Sequence, residues 1–271
     1  MERRKHQRLS KADRLLIKDL TKKGRSLRHI SKIIKVGITT IYYHVRKFKP
    51  KQRKEFIVPL SDEKIGELIG AFAGDGSYYY SINDKNNLGK GGQHRIRYHL
   101  SLLDDMQYKS YLRELLIKLN LNPHIIIRKD YNSIDIAVSS LSYLNFIKTF
   151  LFWKGKKTYS VRLKRKVNTY SLGFLSGFAR GLMDTDGYVE ISNVSCACTS
   201  KELIKNLAKI FDIYGLKYKI SLKKRLNRKD LYLIRVYRNS LEDYNSFIGF
   251  SNKYKQDDLN SLLTPKREQK I

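Results

Sequence analysis

Two segments of the chain carry a glycine at every fourth residue and end in an acid followed by glycine. The glycines are at 66, 70 and 74 in the first segment and at 173, 177 and 181 in the second. Residues four apart lie on one face of a helix, and each interior glycine costs about 1 kcal/mol relative to alanine. Close approach of two helix backbones compensates for that cost. We therefore expect two helices that pack against each other along their glycine stripes.

The acids at the ends of these segments are Asp75 and Asp186, followed by Gly76 and Gly187. A glycine in this position is suited to ending a helix. If the helices pack about a pseudo-twofold axis, their two carboxylates meet, and they repel each other unless a cation lies between them. Because Mg²⁺ prefers carboxylate and water ligands, the pair predicts a magnesium site, in which Mn²⁺ or Ca²⁺ can substitute in binding.

Each glycine-rich helix opens one copy of a repeated pattern of helices and strands. In the first copy we predict helix 61–75, strands 77–82 and 95–103, helix 105–119, strands 124–129 and 133–139, and helix 141–151. In the second we predict helix 171–186, strands 188–192 and 194–199, helix 201–214, strands 217–226 and 231–237, and helix 241–248. The chain therefore belongs to the α+β class, with two pseudo-symmetric αββαββα halves.

Alternation along the predicted strands separates an apolar face from a polar one. Val189 and Ile191, for example, occupy alternate positions on the apolar face. The polar face is basic and rich in hydrogen-bonding groups, so it can lie in a DNA groove; an ordinary solvated surface is the alternative. Its predicted members are Ser77, Tyr79, Arg95, Arg97, His99, Ser133 and Asp135 in the first half and Tyr188, Glu190, Ser192, Lys217, Lys219, Lys223 and Arg235 in the second.

Residues 10–48 form three short helical patterns separated by glycine-containing turns. Ser10 and Ser26 are suited to capping the first two helices, and Gly37 lies in the turn before the third. The segment resembles the helix-turn-helix of resolvases and invertases; a generic three-helix bundle is the alternative. The third helix presents side chains suited to phosphates and base edges, namely Thr39, Thr40, Tyr42, Tyr43, Arg46 and Lys47.

Charge identifies the expected partner. The 55 Lys and Arg residues exceed the 25 Asp and Glu residues, for a formal charge of +30 at pH 7. Phosphate backbones neutralise such a charge while releasing counterions. Apolar runs stay shorter than the roughly 18 residues needed to span a bilayer. We therefore expect nucleic acid and no membrane as the partner.

The two cysteines and the start of the chain bear on localisation. Cys196 and Cys198 lie on one strand face and cannot easily form a disulfide, so they are predicted to be reduced core residues. No apolar segment follows the basic start, which predicts no signal peptide. An intracellular protein is expected, cytoplasmic or associated with the nucleoid, with an organelle as the alternative.

Segments Leu68–Gly76 and Ala179–Gly187 resemble the nine-residue motif of the LAGLIDADG homing endonucleases. The resemblance extends from about residue 60 to the end of the chain. It implies two halves whose sheets form a DNA-binding saddle, with Asp75 and Asp186 as metal ligands and the preceding residues Gly74 and Thr185 assigned to the same site. The first motif departs from the family at its sixth position, where Ala73 replaces the acid that the second motif keeps as Asp184.

The family also places basic residues around the metal pocket. Lys157 and Lys255 occupy corresponding positions in the two halves, and Lys253 lies nearby in the second. These three lysines are therefore predicted to be catalytic, because a cation there can stabilise charge on the reacting phosphate. Contact with the DNA backbone is the alternative role.

The function implied is site-specific cleavage of double-stranded DNA by an intron-encoded monomer with a long asymmetric target. The predicted domains are a helix-turn-helix at 1–48, a basic linker at 49–59, and LAGLIDADG halves at 60–165 and 166–271. Two alternatives remain open. An intron RNA maturase is disfavoured by the helix-turn-helix, since the deep major groove of A-form RNA excludes a recognition helix. A catalytically silent regulator is disfavoured because both acids are present.

Overall fold

The structure is a computed structural model that describes residues 9–49, 55–81 and 93–264. The chain divides into two compact units, Met1–Lys54 and Glu55–Ile271. Each unit has its own hydrophobic core. Residues 50–54 of the predicted basic linker lie outside the described residues. No helix in the described ranges is long and apolar enough to cross a membrane.

The first unit contains helices α1 (Lys11–Lys22), α2 (Leu27–Ile34) and α3 (Ile38–Arg46). Ser10 caps α1 by accepting from the backbone N–H of Asp13, and Ser26 caps α2 in the same way. Five buried side chains form the small core: Ile17, Ile30, Ile34, Ile41 and Val45.

The first turn of this unit follows from the sequence, whereas in the second turn Lys35 takes the left-handed conformation and Gly37 caps α3; the apolar faces of the helices are narrow. Gly24, in the left-handed region at φ 72°, ends the first turn. Leu15, Leu16 and Ile33 are exposed. Helices this short bury one or two turns against each other, so side chains that flank the central stripe stay in contact with solvent.

The second unit repeats one order of elements. Its first half consists of α4 (Asp62–Ala73), β1 (Gly76–Ser81), β2 (Gln93–Ser101), α5 (Met106–Lys118), β3 (His124–Arg128), β4 (Ser133–Ser139) and α6 (Leu141–Phe150). A connection contains β5 (Leu151–Phe152), α7 (Lys157–Ser160) and β6 (Arg162–Leu163). The second half consists of α8 (Leu172–Asp186), β7 (Gly187–Val189), β8 (Val194–Cys198), α9 (Lys201–Ile213), β9 (Tyr218–Lys223), β10 (Leu231–Val236), α10 (Leu241–Phe247) and α11 (Lys253–Leu263).

The two sheets have the same topology. Their strand orders are β1-β2-β4-β3 and β7-β8-β10-β9, and neighbouring strands are antiparallel throughout. One face of each sheet packs on the core, which includes Tyr98 and Ile136 in the first half and Cys196 and Ile234 in the second. The predicted α+β class with two αββαββα halves is confirmed.

Helices α4 and α8 cross in direct backbone contact at their glycines. A Cβ added at Gly66 or Gly70 would lie 2.2 or 2.1 Å from a carbonyl oxygen of α8, and one at Gly177 or Gly181 would lie 1.9 or 2.1 Å from a carbonyl oxygen of α4. Those four positions therefore exclude any side chain. At Gly173 the nearest atom would be 3.8 Å away, an ordinary contact. The predicted stripe is wrong at that position, because the helices have already diverged there.

The largest departure from the predicted strands is the turn between β7 and β8. The predicted strand 188–192 ends at Val189, and the backbone N–H of Glu190 donates to the carbonyl of Asn193 (2.8 Å) to close the turn. Ile191 is 95% exposed, so its assignment to the apolar face is wrong. Ser192, predicted on the polar face of the strand, lies at the turn.

Candidate functional site

The carboxyl ends of α4 and α8 open into one cleft of about 480 Å³. Asp75 and Asp186 both line it, together with Gly74, Ser77 and His99. A Cβ added at Gly74 would lie 3.0 Å from Oδ1 of Asp186, so the acid of the second half reaches the end of the first-half helix. The structure therefore brings together two acids that hold equivalent positions one full repeat apart in the sequence.

The two carboxylates perturb each other. Burial raises the pKa of Asp75 and the nearby charge of Asp186 raises it further, whereas Lys255 and Lys157 lower it. Burial also raises the pKa of Asp186, against the same two lysines. Carboxyls with raised pKa values at short range favour a bound cation, because a cation removes both the burial cost and the repulsion.

Lys157 and Lys255 hold equivalent positions at the ends of the paired helices. The Lys157 ammonium donates to the carbonyls of Phe72, Ala73 and Gly74, each at 2.7 Å. The Lys255 ammonium contacts the three corresponding carbonyls at the end of α8, with Nζ–O distances of 2.5–3.3 Å. Each lysine therefore binds the last carbonyls of its helix and places positive charge at the negative end of the helix dipole. The carbonyl of Met183 also accepts from the backbone N–H of Gly187.

The pKa of Lys157 is lowered to about 8 by burial, and Asp186 and Asp75 oppose that shift. The third predicted lysine, Lys253, is exposed and lines a separate depression with Leu103 and Met106. Lys253 therefore lies outside the cleft, and its catalytic role stays a prediction. As the first residue of α11 it points away from the helix ends, whereas Lys255, two residues later, points toward them.

The donor atoms at the helix ends suit a hard divalent cation. Asp75 and Asp186 offer carboxylate oxygens, the ligands that Mg²⁺, Mn²⁺ and Ca²⁺ share. Among the described residues no three His, Cys, Asp or Glu side chains form a metal cluster. The carbonyls of Gly74 and Thr185, predicted to join the site, already accept from the two lysines. The two carboxylates are thus the main protein ligands that the cleft offers.

Asp184, at the sixth position of the second motif, has a different role. It is buried, and its carboxylate accepts from the backbone N–H groups of Ser251 (3.0 Å) and Asn252 (2.9 Å), directly before α11. Burial raises its pKa to about 7, against these backbone hydrogen bonds. Asp184 therefore fixes the start of the helix that carries Lys255.

A buried network that the sequence analysis missed joins the two halves beside this anchor. Glu67 of α4 accepts from Ser251 and Tyr111, and it pairs with Lys64 (2.8 Å) and Arg180 (3.6 Å). Glu67 lies one residue before the nine-residue motif, at a position where no sequence pattern indicates a buried acid. Arg225, from the connection between β9 and β10, also lines the cleft, and no sequence pattern indicated it.

Most of the residues predicted to bind nucleic acid through the sheets lie on strands, whereas Glu190 and Ser192 lie in the turn after β7 and Lys217 lies just before β9. In the first half, the hydroxyl of Tyr79 accepts from Arg97 (2.7 Å) and Arg95 (3.2 Å). In the second, Arg235 pairs with Glu190 (3.4 Å). Tyr188 and three lysines are exposed there, namely Lys217, Lys219 and Lys223. In the first unit the exposed residues of and after α3 include all those predicted: Thr39, Thr40, Tyr42, Tyr43, Arg46 and Lys47.

Comparison with known proteins identifies the fold. Residues 173–249 match the family model of a LAGLIDADG-like domain. A crystal structure of I-DmoI in complex with DNA and Ca superposes with a TM-score of 0.57 at 14% identity, covering 74% of this chain and 98% of that chain. This is a LAGLIDADG-fold chain. A structure of I-DmoI in complex with DNA and Mn gives 0.53 at 17% identity, over 69% of this chain and 96% of that chain.

Two relatives of the LAGLIDADG-fold chain come from Methanocaldococcus jannaschii. A probable translation initiation factor IF-2 is 25% identical over 148 residues, or 52% of this chain and 13% of the relative. A replication factor C small subunit is 26% identical over 206 residues, or 74% of this chain and 10% of the relative. The chain thus spans about a tenth of the length of each. The resolvase resemblance of the first unit stays a prediction.

Proposed function

We propose that this protein is a site-specific endonuclease that cleaves both strands of DNA with a divalent metal ion held by Asp75 and Asp186. The observation that carries the proposal is the shared cleft at the ends of α4 and α8, where two partly buried carboxylates face each other between two basic sheets. The fold is that of the homing endonuclease I-DmoI, whose crystal structures contain DNA and Ca or Mn.

Each element of the site has a distinct task in this proposal. The sheets bind the DNA and place one phosphodiester near each helix end. Asp75 and Asp186 would hold the divalent cation, Mg²⁺ by preference, which when bound would supply polarisation of the phosphate and an activated water. Lys157 and Lys255 hold the helix ends and supply positive charge beneath the carboxylates, which favours the extra negative charge of the reacting phosphate. One chain supplies both acids, so the active species is proposed to be a monomer acting on a long asymmetric site.

The test is cleavage of a randomised duplex library with Mg²⁺, followed by sequencing of the cut molecules. We expect a defined target to emerge and to be cut by the wild type. The variants Asp75→Asn and Asp186→Asn are expected to bind that target and leave it intact, because each removes one ligand and little volume. Full cleavage by the double variant would refute the proposed role of the two acids.

A further inference from the structure

Asp135 is a fully buried carboxylate on the polar face of the first sheet. It lies on β4 opposite His99 of β2, and its side chain is 0% exposed. His99 Nδ1 lies 2.7 Å from Oδ1 of Asp135, and nitrogens of Arg128 and Arg97 lie 2.9 and 3.6 Å from Oδ2. One acid thus gathers two guanidinium groups and an imidazole on the face that we propose binds DNA.

The surrounding residues fix these groups further. Nε2 of His99 lies 2.7 Å from the hydroxyl of Ser77. The Arg97 guanidinium donates to the Tyr79 hydroxyl and lies 4.8 Å from the centre of that ring. The side chain of Arg128 is 42% exposed. Arg97 is therefore oriented before any ligand arrives, and Arg128 is held near Asp135 by an ion pair.

The second sheet lacks this arrangement at the equivalent positions. Since Gly76 pairs with Tyr98 and Gly187 pairs with Cys196, the pair His99 and Asp135 corresponds to Ala197 and Leu233. The basic side chains there are mainly lysines, and Lys217, Lys219 and Lys223 are exposed with no side-chain partner in the described part of the chain. One acid–base pair remains, between Glu190 and Arg235.

An oriented arginine and a free lysine recognise DNA differently. The planar guanidinium matches the O6 and N7 atoms of guanine in the major groove with two hydrogen bonds, whereas a lysine acts as a point charge that suits phosphates. Orientation before binding lowers the entropic cost of a specific contact. Phosphate contacts position a protein on DNA and carry no direct sequence information.

We infer that Asp135 is a positioning residue for base recognition, and that the two halves read DNA unequally. The half-site under the first sheet is read directly, with guanines facing Arg97 and Arg128. The half-site under the second sheet is held mainly through its phosphates and tolerates substitution. This inference rests on the proposed DNA-binding function and adds the class of sequence that the site selects.

The test is selection of bound duplexes from a randomised library by the full chain, with a chelator present so that cleavage plays no part. We expect the wild type to fix guanines in one half-site and few bases in the other. Asp135→Asn and Arg97→Lys should each lower the preference for guanine there by on the order of 10-fold. Glu202→Gln, at an exposed acid on α9 of the second half, is the control and should leave that preference unchanged.

Folding of each variant is checked by thermal unfolding. If Asp135→Asn fails to fold, Arg97→Lys still tests the guanine preference, because lysine keeps the charge and cannot form the paired hydrogen bonds. Equal numbers of fixed bases in both half-sites, or a guanine preference unchanged in both variants, would overturn this inference and leave the proposed DNA-binding function standing. If no duplex is enriched, the proposed DNA-binding function fails and the inference with it.

Discussion

Three aspartates at the ends of the paired helices show how burial and partners set different roles for one residue type. Asp184 is buried and accepts from two backbone N–H groups, which makes it an anchor for α11. Asp75 and Asp186 are partly exposed and line a cleft. Sequence spacing predicted the meeting of the two cleft acids. It could not predict that Lys157 and Lys255 bind helix carbonyls, because that contact depends on how two chain segments far apart in sequence pack.

The raised pKa values predict how the metal-free protein responds to pH. An aspartate whose pKa is raised by folding contributes its full stability below its unfolded pKa of about 3.9, and that stability is lost as pH rises through the folded value. Asp75→Asn should therefore raise the melting temperature at pH 8 by a few degrees, at roughly 2–4 °C per kcal/mol, and leave it unchanged near pH 3.

Thermal unfolding of wild type and variant in chelator across this pH range checks the prediction. Glu202→Gln, an exposed acid on α9, is the control and should show no such difference. A lower melting temperature for Asp75→Asn at pH 8 would mean that the two carboxylates do not repel each other in the folded protein.

At the scale of elements, periodicity predicted most of the fold. The repeat of glycine-rich helices and alternating strands gave both halves, because burial of one face enforces the period. The strand predicted at 188–192 ends at Val189. A backbone turn ends it there, although apolar and polar residues continue to alternate along the sequence. Helix α11 was not predicted, because its outer face is polar and few of its residues are buried.

The contact between α4 and α8 predicts opposite effects for two glycines of one helix. Gly177→Ala should destabilise the protein by about 1–3 kcal/mol or more, because its Cβ would lie 1.9 Å from the Glu63 carbonyl oxygen and the backbones would have to separate. Gly173→Ala should be neutral or stabilise by up to about 1 kcal/mol through its helix propensity.

Urea unfolding of the two variants measures these changes directly. The same chemical substitution four residues away serves as the internal control. Equal free energies of unfolding for both variants would show that the helices do not approach as closely as the structure describes.

At the scale of the whole molecule, the formal charge of +30 favours a polyanion as the partner. The first unit has a separate core, and its third helix exposes a basic and aromatic face. Sequence alone predicted this unit, because caps and glycine turns are local signals. The target sequence could not be predicted, since specificity depends on DNA deformability and water bridges as well as on side chains.

Two matched double variants test whether the third helix contacts DNA. Arg46→Ala with Lys47→Ala should weaken binding and lower the slope of log affinity against log salt by about 2, because each lost phosphate contact removes about one unit of slope. Lys18→Ala with Lys22→Ala removes the same charge from α1 and should change the slope less. Fluorescence anisotropy at several salt concentrations measures the affinity and the slope for each double variant. Equal slopes for the two double variants would show that α3 does not contact DNA.

The most direct measurement of the central claim is the number of Mn²⁺ ions held by the protein on its selected duplex, counted by electron paramagnetic resonance. Ions held by the naked duplex are subtracted. The account predicts tight Mn²⁺ binding by the wild type that is lost or strongly weakened in Asp75→Asn and Asp186→Asn, with the DNA still bound. Undiminished Mn²⁺ binding by the double variant would contradict it, because the paired helices would then carry their acids to a site that holds no cation.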